Sequence, residues 1–233
     1  MNAIRNLKGY VTTQRSAGSE LEKAYKKWKF NQDLPNCGSI IDVGIGANGT
    51  PELWCHYPEK HYLFVDPLRE CEESVWTYFE NDSDEQHLVF VCTAVGAARG
   101  YAKILIKEKL STSSILSELD ASYDVSETRT VPVQSLDGIV GQHGQYLVPP
   151  YGLKVDTEGY EAEVIKGARN TLGNCAWVIV EVAYRKQYSE QYNLSGFIQL
   201  MELSGFVLSD ILKAGNNGKA DMVFTKRTQP NAE

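Results

Sequence analysis

No apolar run in this chain approaches the length of a bilayer span, and its first residues are polar. Both features argue against a membrane segment and against a cleavable secretion signal. Positive charge is also in short supply. The 23 Lys and Arg face 30 Asp and Glu, for a formal net charge of −7. Nucleic acid and anionic membrane surfaces both need a basic face, so neither is expected as a partner. The five cysteines, at 37, 55, 71, 92 and 175, are odd in number and lack C-x-x-C spacing, which reads as a reduced, cytoplasmic chain without a disulfide framework. His56, His61, His87 and His143 show no paired ligand spacing, so no zinc site is indicated. Repeats, low-complexity tracts and linkers are missing too. What remains is 233 residues of ordinary globular composition, enough for one large α/β domain.

The most informative stretch is Ile40-Ile41-Asp42-Val43-Gly44-Ile45-Gly46-Ala47-Asn48-Gly49-Thr50-Pro51-Glu52. An apolar run ending in an acid and then glycines reads as a buried parallel strand entering a tight loop. Open α/β sheets bind ligands where strands end in this way. Gly44, Gly46 and Gly49 match the dinucleotide pattern G-x-G-x-x-G. Asp42 argues against a pyrophosphate, because a carboxylate there repels phosphate and attracts a cation. S-adenosylmethionine (SAM), which carries a sulfonium and an ammonium and no phosphate, fits better. A second apolar strand, His61-Tyr62-Leu63-Phe64-Val65, ends in Asp66-Pro67. Asp66 lies about 20 residues past the glycines, where nucleoside-binding folds place the acid that accepts both ribose hydroxyls. The expected cofactor contacts are therefore Asp42, Gly44, Gly46, Asn48 and Asp66. Thr93 and Ala94, near the end of a third strand over Leu88–Val95, belong beside the adenine.

Residues 1–35 precede the sheet and carry an S-x-x-E capping box at Ser19 and Glu22, which starts an amphipathic helix to about Phe30. This stretch reads as an N-terminal helical extension, residues 36–226 as the catalytic domain and residues 227–233 as a flexible tail. Arg69–Asn81 reads as a helix. Tyr101–Ile106 and Thr130–Gln134 alternate polar and apolar residues, as half-buried strands do. They frame an antiparallel insertion at residues 101–135 with a flexible crest at Ser111-Thr112-Ser113-Ser114, expected to cover the acceptor site. A fourth strand, Tyr151-Gly152-Leu153-Lys154-Val155, runs into Asp156-Thr157-Glu158-Gly159-Tyr160-Glu161. Lys154, Asp156 and Glu158 share one side of this strand if it continues, and three charges at a strand tip are costly to bury without a purpose. The fifth strand, Ala176–Val182, is again acid-tipped, at Glu181. A helix through Leu194 and Met201 closes at Gly205, and two strands over Phe206–Leu208 and Asp221–Thr225 complete the sheet.

Several of these runs recur together in one family: Ile41-Asp42-Val43-Gly44 with Gly46 and Gly49, Phe64-Val65-Asp66-Pro67, Leu136-Asp137, and Leu153-Lys154-Val155-Asp156-Thr157-Glu158-Gly159-Tyr160-Glu161 with Gly167-Ala168, then Ile179-Val180-Glu181. The chain resembles the FkbM family of SAM-dependent methyltransferases over roughly residues 38–205. The resemblance implies a Rossmann-like class I methyltransferase fold, a seven-stranded, mostly parallel sheet with its last strand antiparallel and helices on both faces. It also implies O-methylation of a small-molecule hydroxyl, often on a sugar or secondary metabolite. Asp66 departs from the family, whose members usually carry Glu there.

For the chemistry, Asp156 and Glu158 are the candidate general bases and Lys154 the group that holds or orients them. Asp156 with Glu158 or Glu181 also offers oxygen ligands for Mg²⁺. The metal-free version is favoured because no third acid stands at an obvious ligand spacing. Two readings compete with methyl transfer, a nicotinamide-dependent oxidoreductase and a non-catalytic binding protein on a methyltransferase scaffold. A homo-oligomer is compatible with everything above.

Overall fold

The computed structural model describes residues 34–80, 88–117, 125–188 and 190–227. The expected helix at Ser19–Phe30 and the tail beyond residue 227 lie outside these residues. In chain order the strands are β1 (Ser39–Val43), β2 (His61–Asp66), β3 (Leu88–Cys92), β4 (Ala94–Val95), β5 (Gly100–Lys107), β6 (Val125–Gln134), β7 (Tyr151–Val155), β8 (Cys175–Ala183), β9 (Phe206–Ala214) and β10 (Lys219–Lys226). The helices are α1 (Pro51–Trp54), α2 (Glu72–Tyr78), α3 (Leu136–His143), α4 (Glu161–Lys166), α5 (Arg169–Gly173) and α6 (Leu194–Leu203).

Seven strands form one sheet in the order β3-β2-β1-β7-β8-β10-β9. Only β10 runs against its neighbours; the pairs from β3 to β8 are parallel. Alternation along each strand sends side chains to two cores. Ile41, Val43, Leu63, Val65, Leu153, Val155 and Val180 pack with Ile139, Ile165, Leu172 and Met201 of α3 to α6. Ile40, Tyr62, Phe64 and Ile179 face the other way, onto Leu53, Trp54, Val75 and Phe79. Trp54 anchors that second core, its ring edge-on to Phe64 and Tyr78 at 5.4 and 5.0 Å between centroids. Asp42 and Lys154, paired in register on β1 and β7, are the charged exceptions in the sheet's centre.

The strand order reverses at β1, whose neighbours are β2 and β7. In open α/β sheets the ligand crevice forms outside such a point, at the carboxyl ends of the strands. The expected third strand divides here. Thr93 breaks it, with its hydroxyl donated to the Pro132 carbonyl at 3.0 Å, and Ala94–Val95 leave the main sheet to pair with β6. With β5 antiparallel to β6, these form a second, three-stranded sheet. Its Ile104, Ile106, Val131 and Val133 join the Trp54 core. The insertion is thus antiparallel, as expected, and seated against the domain.

The serine run, expected as a flexible crest, is tied to the domain at one of its residues. Leu110–Thr112 make a single 3-10 turn, and Ser114 bridges back to Leu105 and is buried. The Ser114 hydroxyl donates to the Glu158 carbonyl at 2.6 Å and accepts from the Leu116 amide at 3.0 Å. Ser114 is drawn inward because its hydroxyl finds both an acceptor and a donor there, as buried polar groups do. Residues 118–124 of the insertion lie outside the described residues. Among the described residues no helix is long and apolar enough to cross a membrane.

Candidate active site

A cavity of about 300 Å³ opens at the carboxyl ends of β1, β2 and β7, with the segment from Leu110 to Ile115 on its wall. The glycine loop lines one end. Gly44 and Gly46 have φ of +78° and +62°, a region that L side chains avoid. Space forbids a side chain at Gly44 independently, because a Cβ would lie 1.9 Å from the Asp156 carbonyl oxygen. The loop and the charged tip of β7 are thus pressed together, with the Asp156 amide donating to the Val43 carbonyl at 2.9 Å.

The expected cofactor residues Gly44, Gly46, Asn48, Asp66, Thr93 and Ala94 all line this cavity. Asp66 is 5% exposed. Its Oδ2 accepts from the Gly46 amide at 3.0 Å and its Oδ1 from the Leu68 amide at 2.8 Å. Burial pushes this carboxyl above its ordinary range, against the pull of the two amides. The two amides hold the Asp66 carboxylate against the loop at the cavity wall, with the Cys71 thiol beside it.

Asp42 is a correction. It is fully buried and lies outside the cavity lining, beneath the loop. Its Oδ2 accepts from the Trp54 indole at 2.8 Å, the Thr50 side chain also stands against the carboxylate, and among the described residues its Oδ1 makes no hydrogen bond. Burial raises its pKa to about 6, against the attraction of Lys154 and the indole bond. The β1 alternation that carries Ile40 into the Trp54 core carries Asp42 there as well.

Charged side chains crowd the opposite end. Lys154, 3% exposed, donates to Asp156 Oδ2 at 3.0 Å. Burial alone would discharge Lys154, but Asp156, Asp42 and Asp221 outweigh it and hold the ammonium above its usual range. Burial likewise works against the Asp156 charge, and Lys154 overrides it, keeping that carboxylate ionised below its ordinary pKa. Glu158, at φ 53°, accepts from the Tyr188 hydroxyl at 2.7 Å and from the Lys219 ammonium. Lys219 also reaches Glu181 at 2.9 Å. Carboxylate oxygens of Asp156, Glu158 and Glu181 all lie within 4.8 Å of one another. The third acid absent from the linear spacing is therefore present in space, with a lysine ammonium already bonded to two of the three.

The run from Thr157 to Glu161 shapes this end. Glu161 Oε1 accepts from the Thr157 amide and hydroxyl at 3.0 and 3.2 Å and from the Gly159 amide at 2.9 Å. That clamp holds Glu158 in its left-handed conformation. Gly159, at φ 103°, has no room for a Cβ, which would meet the Tyr188 ring at 2.6 Å. Gly167 is similarly confined, since a Cβ there would lie 2.1 Å from the Gly96 carbonyl oxygen. Asp137 accepts from the Thr171 amide at 2.8 Å and the Asn170 amide at 3.0 Å, fixing the start of α5.

Sequence reasoning missed three participants. Lys213 and Asp221 line the cavity together with Ser111 of the expected cover, and Lys219 stands behind the carboxylates. Asp221 is in register with Glu181 on β8 and with Lys213 on β9. The sequence carries no signal for this, because placing β10 beside β8 is a matter of sheet order. Glu181 was visible as an acid tip, but its place beside Asp156 was not.

A family model described as the methyltransferase FkbM domain matches residues 44–208. No curated protein matches the chain. The solved structure of methyltransferase FkbM from Methylobacillus flagellatus KT is similar, with a TM-score of 0.56 and 13% identity, over 89% of this chain and 51% of that one. This chain thus spans about half the length of that protein. Fibrillarin from Aeropyrum pernix, with natively bound SAM, has a TM-score of 0.47 and 14% identity, over 88% of this chain and 74% of that one. Magnesium protoporphyrin IX methyltransferase from Synechocystis PCC 6803, also with bound SAM, has 0.46 and 12%, over 93% and 81%. At 13% identity the likeness to the Methylobacillus flagellatus structure is one of fold.

Proposed function

The chain belongs to the FkbM methyltransferase family, and from that premise we propose that it transfers a methyl group from SAM to a hydroxyl of a small molecule, a sugar or secondary metabolite. One observation carries the reading: a single cavity joins a glycine loop and a buried acid, Asp66, to an ionised carboxylate, Asp156, held by Lys154. The first end suits a nucleoside and the second an alcohol that must lose its proton.

The loop end is poorly made for a pyrophosphate, which favours SAM over a nicotinamide dinucleotide. The helix after the loop has four residues and begins at Pro51, which has no N–H to offer, so the usual phosphate cradle at a helix N-terminus is lacking. Among the described lining residues the cations are Lys154 and Lys213, and Lys154 is already bonded to Asp156. Gly44, Gly46, Asn48 and Asp66 would hold the nucleoside part, with Thr93 and Ala94 beside the base. When bound, SAM supplies an electrophilic methyl on a sulfonium. The chain's part is to hold the acceptor oxygen in line with that methyl, which supplies much of the acceleration, and to take the hydroxyl proton. Asp156 is the base, and Lys154 keeps it ionised.

We favour a metal-free mechanism, because the Lys219 ammonium already bridges Glu158 and Glu181. Asp156→Asn is nearly isosteric and should leave affinity for S-adenosylhomocysteine (SAH) unchanged by calorimetry. Turnover, measured with methyl-labelled SAM, should fall roughly 10²–10⁴-fold, as for the loss of a general base. Full turnover in the variant would remove Asp156 from the chemistry. A melting shift with NADP and none with SAH would replace the reading by the oxidoreductase one.

A further inference from the structure

Glu181 handles no proton in the reading above, yet it stands on the cavity wall toward the end of β8. Its neighbours differ from those of Glu158. Glu158 is held from outside the cavity by the Tyr188 hydroxyl and the Lys219 ammonium, and its own carbonyl is tied to Ser114. Glu181 shares Lys219 with Glu158 but faces Asp156 as well, all three acids lying within 4.8 Å of one another. The charged groups around Glu181 are Lys154 and Asp156 on β7, Glu158 in the following turn, and Lys219 and Asp221 on β10.

Lys154, Lys219 and the more exposed Lys213 face Asp42, Asp156, Glu158, Glu181 and Asp221 here, so the carboxylates outnumber the ammoniums. Adjacent carboxylates in such a place hold one proton between them. We propose that Glu181 is a catalytic residue, forming with Asp156 the carboxyl pair that takes up the acceptor's proton, with Lys219 as the positioning residue that holds Glu181 in place. The inference rests on the methyl-transfer reading. As the bond from the acceptor oxygen to the methyl forms and the carbon–sulfur bond breaks, the electron pair stays on sulfur as a neutral thioether. The hydroxyl proton passes to Asp156, and the pair then releases one proton to solvent through Glu181, which is 23% exposed. Burial and the Asp156 charge push Glu181 up to about 8, which agrees with its holding the resting proton at neutral pH.

The test is a carbon-13 NMR titration of the Glu side chains, with Glu181→Gln to assign the resonance, on the free protein and on its SAH complex. The Glu181 midpoint should lie well above the ordinary Glu range and fall by about one unit or more in Asp156→Asn, since coupled sites titrate as a pair. A midpoint in the ordinary range, or one that Asp156→Asn does not move, overturns the proposal. In the labelled-SAM assay Glu181→Gln should lose on the order of 10²-fold in turnover at unchanged SAH affinity. Lys219→Met should shift the pH profile and Lys219→Arg restore it. Unchanged turnover in Glu181→Gln also overturns the proposal. Failure of the wild-type protein to bind SAH would instead count against the methyl-transfer reading, because the titration of the free protein is independent of it.

Discussion

Asp42 keeps a carboxylate where water does not reach, and that location has a consequence for stability. Its folded pKa is raised from 3.8 to about 6. For an acid shifted upward, the stabilisation is complete below the unfolded pKa and is lost as pH rises through the folded one. Asp42 should therefore weaken the fold between about pH 4 and 6, by on the order of 3 kcal/mol for a two-unit shift. Asp42→Asn keeps an acceptor for Trp54 without the charge, so its denaturation midpoint should change less with pH over that window than the wild type's. Parallel curves for the two proteins would contradict this. Asp66 acts on the ligand instead. Asp66→Ala should weaken SAH binding by on the order of 1.5–3 kcal/mol, the range for a hydrogen bond to a charged group. Calorimetry showing wild-type affinity in the folded variant would remove Asp66 from the nucleoside site.

At the scale of the element, the glycine loop and the β7 tip form one unit held by close backbone approach. A methyl at Gly44 meets the Asp156 carbonyl and needs a left-handed backbone. The backbone conformation alone costs about 1–2 kcal/mol, and the collision adds to it. Gly44→Ala should lower the melting temperature and move Asp156 at the same time, so that binding and turnover fall together. The insertion is tied to this unit by Ser114. Removing that hydroxyl leaves the buried Glu158 carbonyl and Leu116 amide short of partners, a cost of about 1–3 kcal/mol each. Amide exchange between Leu105 and Leu116 should accelerate in Ser114→Ala and slow in the wild type on SAH binding. Exchange insensitive to both would leave the insertion without a part in closure.

On the scale of the whole molecule, the site collects charges from β7, β8, β9 and β10, and Lys219 supplies a cation to its carboxylates. Methyl transfer should accordingly survive exhaustive chelation with EDTA. Activity lost on chelation and restored by Mg²⁺ would mean that a divalent cation displaces Lys219 from the acids.

The sequence alone located the inner parallel strands, because buried parallel strands need apolar runs, and Leu63–Val65 and Val178–Val180 are such runs, as is Ile40–Val43 apart from Asp42. It located the glycine loop as well, since only glycine tolerates φ near +78° beside another backbone, and it located the acids at the strand ends. Alternation within one strand was legible too, which is why Lys154 and Asp156 were expected on one side. Tertiary structure decided what stands across from each acid. Asp42 was expected at the ligand and is packed under Trp54, because the sheet face on which a strand residue lies depends on what covers that face. Ser114 was expected at a flexible crest and is bonded to Glu158, forty-four positions away. Glu181 meets Asp156, and Lys219 meets both Glu158 and Glu181, only because β10 inserts antiparallel beside β8. Pairing between strands is set by the packing of the whole sheet, and local pattern carries no record of it.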